Sequence, residues 1–280
     1  GVTHRGMVNK VSWELVEALI RHEEWTRFHN SERAESMSDD PQRFAWLKPL
    51  EATITPEPGD AKEISDMFIG IFFEDISYAA DGGLYAELVQ NRDFEYQLSE
   101  KQFRDPSWTS KKAWEVNDVI NFRIDTLDPV HPNNRHYAVL EVGQAGGTLV
   151  NGGWDGIPVE EGRQYDFSMI ARSVSGTNGT VKVLLRDQEG QVAGTASVKV
   201  KDQEWKKYEA VISVSKTATA AKLELEPAFT GVLELDMISL FPQHTFRNRK
   251  NGLRADLAQV IADLNPTFVR FPGGCVAHGD

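Results

Sequence analysis

The chain has 280 residues, enough for one large domain or two ordinary ones around a sizeable core. A net charge of -12 and a pI near 5.1 argue against nucleic acid or an anionic membrane as partner and leave neutral sugars compatible. One cysteine excludes an internal disulfide framework, and no apolar run approaches the ~20 residues that span a bilayer.

Residues 1–48 differ in character from the rest of the chain. Val11, Leu15, Leu19, His22 and Trp25 recur at helical spacing and predict a short amphipathic helix between Ser12 and Phe28. Ser31 to Gln42 is polar, contains Asp39-Asp40-Pro41 and reads as loop or linker. The segment is expected to be a leader or linker, partly disordered, with a partner-binding helix as the alternative; no apolar stretch after the early charges marks a secretory signal. From Leu50 the register changes. Ala52-Thr-Ile-Thr55 is a short strand signal, ended by Pro56 and Pro58-Gly59.

Ile69-Gly-Ile-Phe-Phe-Glu-Asp-Ile76 is an apolar run that stops in two acids. Phe68, Ile69, Ile71, Phe72 and Phe73 leave neither face polar, the pattern of a strand buried on both sides. Asp81-Gly82-Gly83 breaks the chain, and Leu84, Leu88 and Val89 predict a helix running to Asn91. Strand, loop and helix make the unit of a parallel α/β sheet or barrel, in which acids at the strand's carboxyl end face the active-site mouth. The alternative is that Glu74 and Asp75 only cap a loop.

Beyond Trp114 the period becomes two. Residues 136–142, 165–171, 180–185, 207–212, 221–226 and 232–240 tend to alternate, with turn signals at Gly146-Gly147, Gly152-Gly153, Glu161-Gly162, Asn178-Gly179 and Glu189-Gly190. This predicts an antiparallel β-sandwich of about 145 residues inserted between two α/β units. The second unit comes after it. Asn251 to Leu264 is an amphipathic helix stopped by Asn265-Pro266, and Thr267-Phe-Val-Arg-Phe271 is a short strand leading into Pro272-Gly-Gly-Cys275.

Three stretches, Ile69 to Ile76, Asp81 to Glu95 and Arg270-Phe-Pro-Gly-Gly-Cys275, resemble in order and in kind the α-L-arabinofuranosidases of glycoside hydrolase family 51. The resemblance covers roughly Leu50 to Asp280. It implies the first two spokes of a (β/α)8 barrel, incomplete, interrupted by an antiparallel β-sandwich of jelly-roll, galactose-binding-like type. The corresponding division is 1–48 leader, 49–96 first strand and helix, 97–242 sandwich, and 243–280 second helix and strand. The insert is similar to carbohydrate-binding modules of families 4 and 9, with Asn91-Arg-Asp-Phe-Glu95 at its opening strand and Val232 to Leu240 at its last.

The implied activity is retaining hydrolysis that releases terminal arabinofuranosyl groups from arabinoxylan or arabinan. Such hydrolysis needs two carboxyl groups about 5 Å apart and no cofactor. In the family both catalytic glutamates lie on later strands, so the catalytic residues are expected to be absent from this sequence. On the present positions the resemblance places substrate binding at Glu74, Arg270 and Cys275, with Gly273 and Gly274 allowing close approach of the sugar. An ionised Glu accepts hydroxyl donors and Arg offers a planar fork of them. Cys275 as a nucleophile is disfavoured, because His278 three residues on does not make a dyad.

Trp108, Trp114, Trp154 and Trp205 are candidate sugar platforms; the competing role for each is core packing. Glu95 and Asp236 are candidates for a structural calcium, which would need further oxygens, against ordinary strand acids. The histidines show no zinc spacing. The expected partner is an arabinose-containing polysaccharide or oligosaccharide, with a homo-oligomer or a further carboxy-terminal portion completing the barrel. The substrate points to an extracellular or periplasmic setting. Two alternatives stand beside this reading: a non-catalytic carbohydrate-binding protein, and an endo-xylanase or endo-glucanase on the same scaffold.

Overall fold

The computed structural model describes residues 11–33, 40–57, 59, 61–97, 106–174 and 179–274. The chain divides into two units, Gly1–Glu63 and Ile64–Asp280. In the first, helix α1 spans Trp13–Arg33 and α2 spans Asp40–Arg43. Ser12 starts α1, its Oγ accepting from Leu15 N at 3.3 Å, and Glu23 pairs with Arg27 one turn on at 2.8 Å. The helix is longer than the sequence predicts and is not amphipathic. At 3.6 residues per turn, Trp13, Leu19, Trp25 and Phe28 spread round the axis, and all four are exposed. Ala52–Thr55 forms no strand.

The second unit is mostly β. Strands β2 (Trp114–Val116), β3 (Ile120–Asp125), β4 (Tyr137–Val142), β5 (Leu149–Asn151), β6 (Ile157–Val159), β7 (Gln164–Ser173), β8 (Gly179–Arg186), β9 (Val192–Val200), β10 (Lys206–Val214), β11 (Ala218–Pro227) and β12 (Gly231–Pro242) form one antiparallel sheet. Its order is β2-β5-β11-β8-β9-β10-β7-β12-β4-β3, with β6 also on β11. The sheet folds over at the β9–β10 corner, where only Ser213–Thr195 and Val214–Gly194 pair. Val183 and Leu225 from one layer and Phe167 and Leu233 from the other then share a single core. Strand alternation supplies it: on β7 Tyr165, Phe167, Met169 and Ala171 point in, while the residues between them are half-buried. Each fully buried Leu or Phe contributes about 1.5–3 kcal/mol relative to exposure.

Two short strands flank this sandwich in sequence, β1 (Gly70–Phe72) and β13 (Phe268–Arg270), paired in parallel. Helix α3 (Ala255–Asp263) connects the sandwich to β13, so β1, α3 and β13 form one β-α-β unit. This corrects the expected layout. No helix occupies 84–91, and the sandwich is inserted between β1 and α3 rather than after a complete strand-helix spoke. The 84–92 segment runs as turns at both ends with an irregular stretch at 86–89, because its hydrogen bonds go elsewhere. Arg254 N donates to Leu84 O at 2.9 Å, Leu88 N to Leu240 O at 3.0 Å, and Ile238 N to Arg92 O at 2.9 Å. It laces the β-α-β unit to β12, which is why β12 is buried on both faces along most of its length. Residues 251–254 bond to the same segment, so α3 begins later than its apolar periodicity suggests.

β1 is also shorter than its apolar run, and it is not buried on both sides: Phe72 is exposed. Among the described residues β13 is its only partner strand.

Candidate functional site

The register of β1 and β13 decides which side chains share a face. Phe72 lies opposite Arg270 and Gly70 opposite Phe268. Side chains two residues apart point the same way, so Glu74, just beyond β1, continues the face that carries Phe72 and Arg270. The other face holds Ile71, Phe73, Val269 and Phe271, which together with Ala258 and Ile261 of α3 line an apolar cavity of about 550 Å³.

Beyond the strand ends the backbones stay paired: Phe73 N donates to Arg270 O and Asp75 N to Pro272 O, each at 2.9 Å. The half-buried Glu74 carboxylate accepts from Gly274 N at 3.2 Å. Gly273 has φ +127°, and a Cβ there would stand 2.5 Å from Glu74 Cγ. Glycine at 273 therefore leaves room for the Glu74 side chain itself, a more local reason than clearance for a sugar. Arg270 lies over the Phe72 ring at 4.9 Å, its guanidinium directed outward on the Glu74 face. Thus the structure brings Glu74 and Arg270 to one rim, whereas Cys275 lies outside the described residues. Asp75 has the capping role, its Oδ1 accepting from Ala80 N at 3.0 Å.

The loop after Glu74 meets the sandwich through aromatic rings. Tyr78 lies nearly parallel to Trp108, 9° apart with centroids at 6.5 Å, and edge-on to Trp154 at 5.0 Å. Trp108 stacks in turn on Tyr96 at 4.7 Å. Trp154 packs a face against Gly82, where a Cβ would come within 2.4 Å of the indole, and its buried Nε1 has no hydrogen-bond partner among the described residues. Burial, then the Asp81 and Asp93 carboxylates, push the Tyr96 hydroxyl up to about 12, so it stays neutral. Trp108 and Trp154 therefore stand behind Tyr78, with ring faces already engaged. Trp114 is core, donating from Nε1 to Asn91 O at 2.8 Å.

Trp205 belongs to another place, the outer face of the β4-β12-β7 layer. Arg172 lies 4.4 Å from its ring, pairs with Glu234 at 2.5 Å and with Asp128, and Tyr137 meets the indole edge-on at 5.2 Å. Tyr137 is buried behind the half-buried Trp205, whose flat ring beside a guanidinium and carboxylates can stack on a sugar while they hydrogen-bond its hydroxyls.

A family model described as carbohydrate binding domain matches residues 86–230, just over half of the chain. The chain belongs to that family. It is 43% identical over 228 residues to an extracellular exo-α-L-arabinofuranosidase of Streptomyces chartreusis, covering 81% of this chain and 26% of that protein. Against α-L-arabinofuranosidase 1 of Arabidopsis thaliana it is 28% identical, over 90% of this chain and 37% of the relative. The chain thus spans between a quarter and two fifths of the length of these two curated relatives. Among solved structures, an arabinose-bound MgGH51 α-L-arabinofuranosidase superposes with a TM-score of 0.66 at 29% identity, over 75% of this chain and 34% of that one.

The structure gives no support to the calcium expected at Glu95 and Asp236. Glu95 accepts from His136 N at 2.7 Å, and the His136 ring Nδ1 stands 2.7 Å from its other oxygen. Asp236 accepts from Met237 N and Asn134 Nδ2, each at 2.7 Å. All four carboxylate oxygens face nitrogen, and among the described residues no three His, Cys, Asp or Glu side chains converge as metal ligands. Asp236 instead closes the β12 bulge, where Met237 turns to φ +49°, and Glu95 holds His136. Burial, with Asp93 and Glu95 adding to it, pushes the Asp236 carboxyl up to about 8.

Two residues escaped the sequence reading. Glu87 is buried and ties the connecting segment to β12, accepting from Leu240 N at 2.9 Å, Val89 N at 3.0 Å and the Ser239 hydroxyl. Tyr78 is the exposed ring in the loop that follows Glu74. An acid inside an apolar-periodic stretch was the available signal for Glu87; nothing in the sequence pattern marked Tyr78.

Proposed function

We propose that the chain is the amino-terminal, sugar-recognising part of an α-L-arabinofuranosidase that removes terminal arabinofuranosyl groups from arabinoxylan or arabinan. In this reading β1, α3 and β13 begin a (β/α)8 barrel, and residues 97–242 are a carbohydrate-binding domain inserted between the first strand and its helix. The observation that carries it is the rim where Glu74, the Arg270 face and the Gly273-Gly274 backbone meet at the carboxyl ends of two parallel strands, the side on which barrel enzymes bind substrate. Glu74 would accept two sugar hydroxyls, Arg270 would donate to ring or hydroxyl oxygens, and Cys275 would complete the contact. The 43% identity to a curated exo-α-L-arabinofuranosidase supports the assignment. Its description as extracellular supports an extracellular setting for this chain too, where such polymers are found.

Retaining hydrolysis would use two carboxyl groups about 5 Å apart, one giving a proton to the leaving oxygen and the other attacking the anomeric carbon, with no cofactor. Among the described residues the two strand ends offer only the adjacent Glu74 and Asp75, and Asp75 is spent on its loop. Glu74 is therefore assigned to binding.

Calorimetric titration with arabinose tests this. Removing a charged acceptor for two hydroxyls should weaken binding about 10- to 100-fold in Glu74→Gln. Equal affinity of the variant and the unaltered chain would overturn the assignment. A parallel assay with a chromogenic α-L-arabinofuranoside reports catalysis, and turnover abolished by Glu74→Gln would place Glu74 in the chemistry rather than in binding alone.

A second reading, a non-catalytic carbohydrate-binding protein, is favoured by the Arg172, Trp205 and Tyr137 cluster on the outer sandwich face. It predicts oligosaccharide binding that Glu74→Gln leaves intact and Trp205→Ala removes.

A further inference from the structure

We propose that Tyr78 is a stacking platform for a pyranose ring of the polysaccharide main chain, placed beside the site that takes the arabinosyl branch. The proposal rests on the assignment of Glu74 to sugar binding and names the polymer class that the site meets.

Tyr78 is 42% exposed, yet two tryptophans hold it: Trp108 lies nearly parallel to it and Trp154 meets it edge-on. An exposed ring with fixed orientation gives up little rotamer freedom when a ligand lands on it. The backbone underneath is strained in the same sense. Ser77 and Tyr78 have consecutive left-handed φ values of 51° and 62°, a conformation that side-chain-bearing residues adopt only when the surroundings impose it.

The surroundings are specific. Ala79 N donates to Ile76 O at 2.9 Å, Leu84 N to Ala79 O at 2.8 Å and Tyr85 N to Ala80 O at 2.9 Å, while Asp75 Oδ1 caps Ala80. This loop turns an aromatic side chain out to solvent against local preference, and the sandwich supplies the stack behind it. The residues that look like platforms in the sequence, Trp108 and Trp154, are the support.

The position suits a polymer. Tyr78 is the fourth residue after Glu74, so their Cα atoms lie within about 14 Å at full extension and closer in this turn. A sugar bound at Glu74 and the next units of the chain that bears it would reach across Tyr78. The ligand chemistry comes from the ring. A flat aromatic face packs best against the broad C–H face of a pyranose chair, and a puckered furanose offers a smaller one. A xylan-type backbone carrying arabinofuranosyl branches fits; an arabinan backbone, furanose throughout, fits less well.

The test is titration of the 280-residue chain with xylohexaose and, separately, with arabinose, comparing Tyr78→Ala, Tyr78→Phe and Trp205→Ala. The expected result is that Tyr78→Ala lowers the preference for xylohexaose over arabinose about tenfold, while Tyr78→Phe keeps it because the ring remains. Failure of the unaltered chain to bind xylohexaose overturns the proposal. So does a Tyr78→Ala protein that binds it normally, or a Tyr78→Phe protein that loses it to the same extent. A loss confined to Trp205→Ala moves the ligand to the outer sandwich face and overturns it too. Arabinose binding that ignores Glu74→Gln sinks the Glu74 assignment by itself, and the xylohexaose comparison at Tyr78 is read independently of it.

Discussion

The sandwich and the β-α-β unit are built from the same kinds of side chain and end in opposite states. In the sandwich Val183, Leu185, Leu225 and Leu233 are fully buried, because every strand layer has another across from it. In the β-α-β unit Phe72, Val260, Leu264 and Val269 are all more than half exposed, although the strands and the helix are as apolar in pattern. Periodicity tells a chain which residues want cover. Burial depends on whether a second layer is there to provide it, and two parallel strands with one helix supply only one side of a core.

The largest effect should come from the side that is covered. Leu225→Ala is expected to cost about 2–5 kcal/mol, since it removes a buried side chain and leaves a cavity between two layers. Urea denaturation would measure it. A loss under about 1 kcal/mol would mean that the two sheets do not share one core.

Ion pairs give a second comparison, inside the sandwich. Arg172 is sequestered between Glu234 and Trp205, whereas Arg123 on β3, itself half exposed, pairs with Asp125 and, more distantly, with the exposed Glu141. Arg172→Ala should cost about 3 kcal/mol, because it strands the buried Glu234 carboxylate. Arg123→Ala should cost under about 1 kcal/mol. Similar losses for the two would show that the Arg172 cluster is wet, and a site already hydrated there would suit a sugar less well.

Titration separates the regions further. Asp236 is buried and its carboxyl is pushed up to about 8, from the ordinary 3.8. A raised value means that the folded state holds the proton where the unfolded chain has released it. Stability from this group is complete below about pH 4, falls through the interval to about pH 8, and then levels. The slope is on the order of 1.4 kcal/mol per pH unit. Burial pushes Glu87 up as well, and it acts with the same sign. Asp236→Asn should flatten most of the fall, as read by thermal denaturation across pH. A variant that keeps the full slope would move the titration to another group.

These contrasts also explain what the sequence could reveal. Strands β7, β8, β11 and β12 were legible because eight or more residues alternate against a core on one side. The three-residue strands β2, β5 and β6 were not, since two or three positions cannot establish a period, and β9 carries the small Gly194 and Ala196 at inward positions where larger apolar residues would have marked it. Leu84, Leu88 and Val89 suggested a helix because their spacing suits one. The segment is instead pinned between the start of α3 and β12 by backbone bonds whose partners are distant in sequence. Glu74 stood out as an acid at the end of an apolar run. Tyr78 did not, because its importance comes from two left-handed residues and two tryptophans that only the folded chain brings to it.

The smallest expected effect is the one that isolates the comparison. Val260 lies on the exposed side of α3, where it is 62% accessible, and a charge there meets water rather than a core. Val260→Lys should change stability by no more than about 0.5 kcal/mol in either direction: Lys has the better helix propensity, and the apolar area lost from burial is small. The same exchange at Leu225 would place an ammonium between two sheets. If Val260→Lys instead destabilises the chain by about 2 kcal/mol or more in chemical denaturation, that helix face is covered in solution. Repeating the measurement over a tenfold range of protein concentration then identifies the cover, because a loss that grows as the protein becomes more concentrated comes from contact between copies. A loss independent of concentration comes from within the chain.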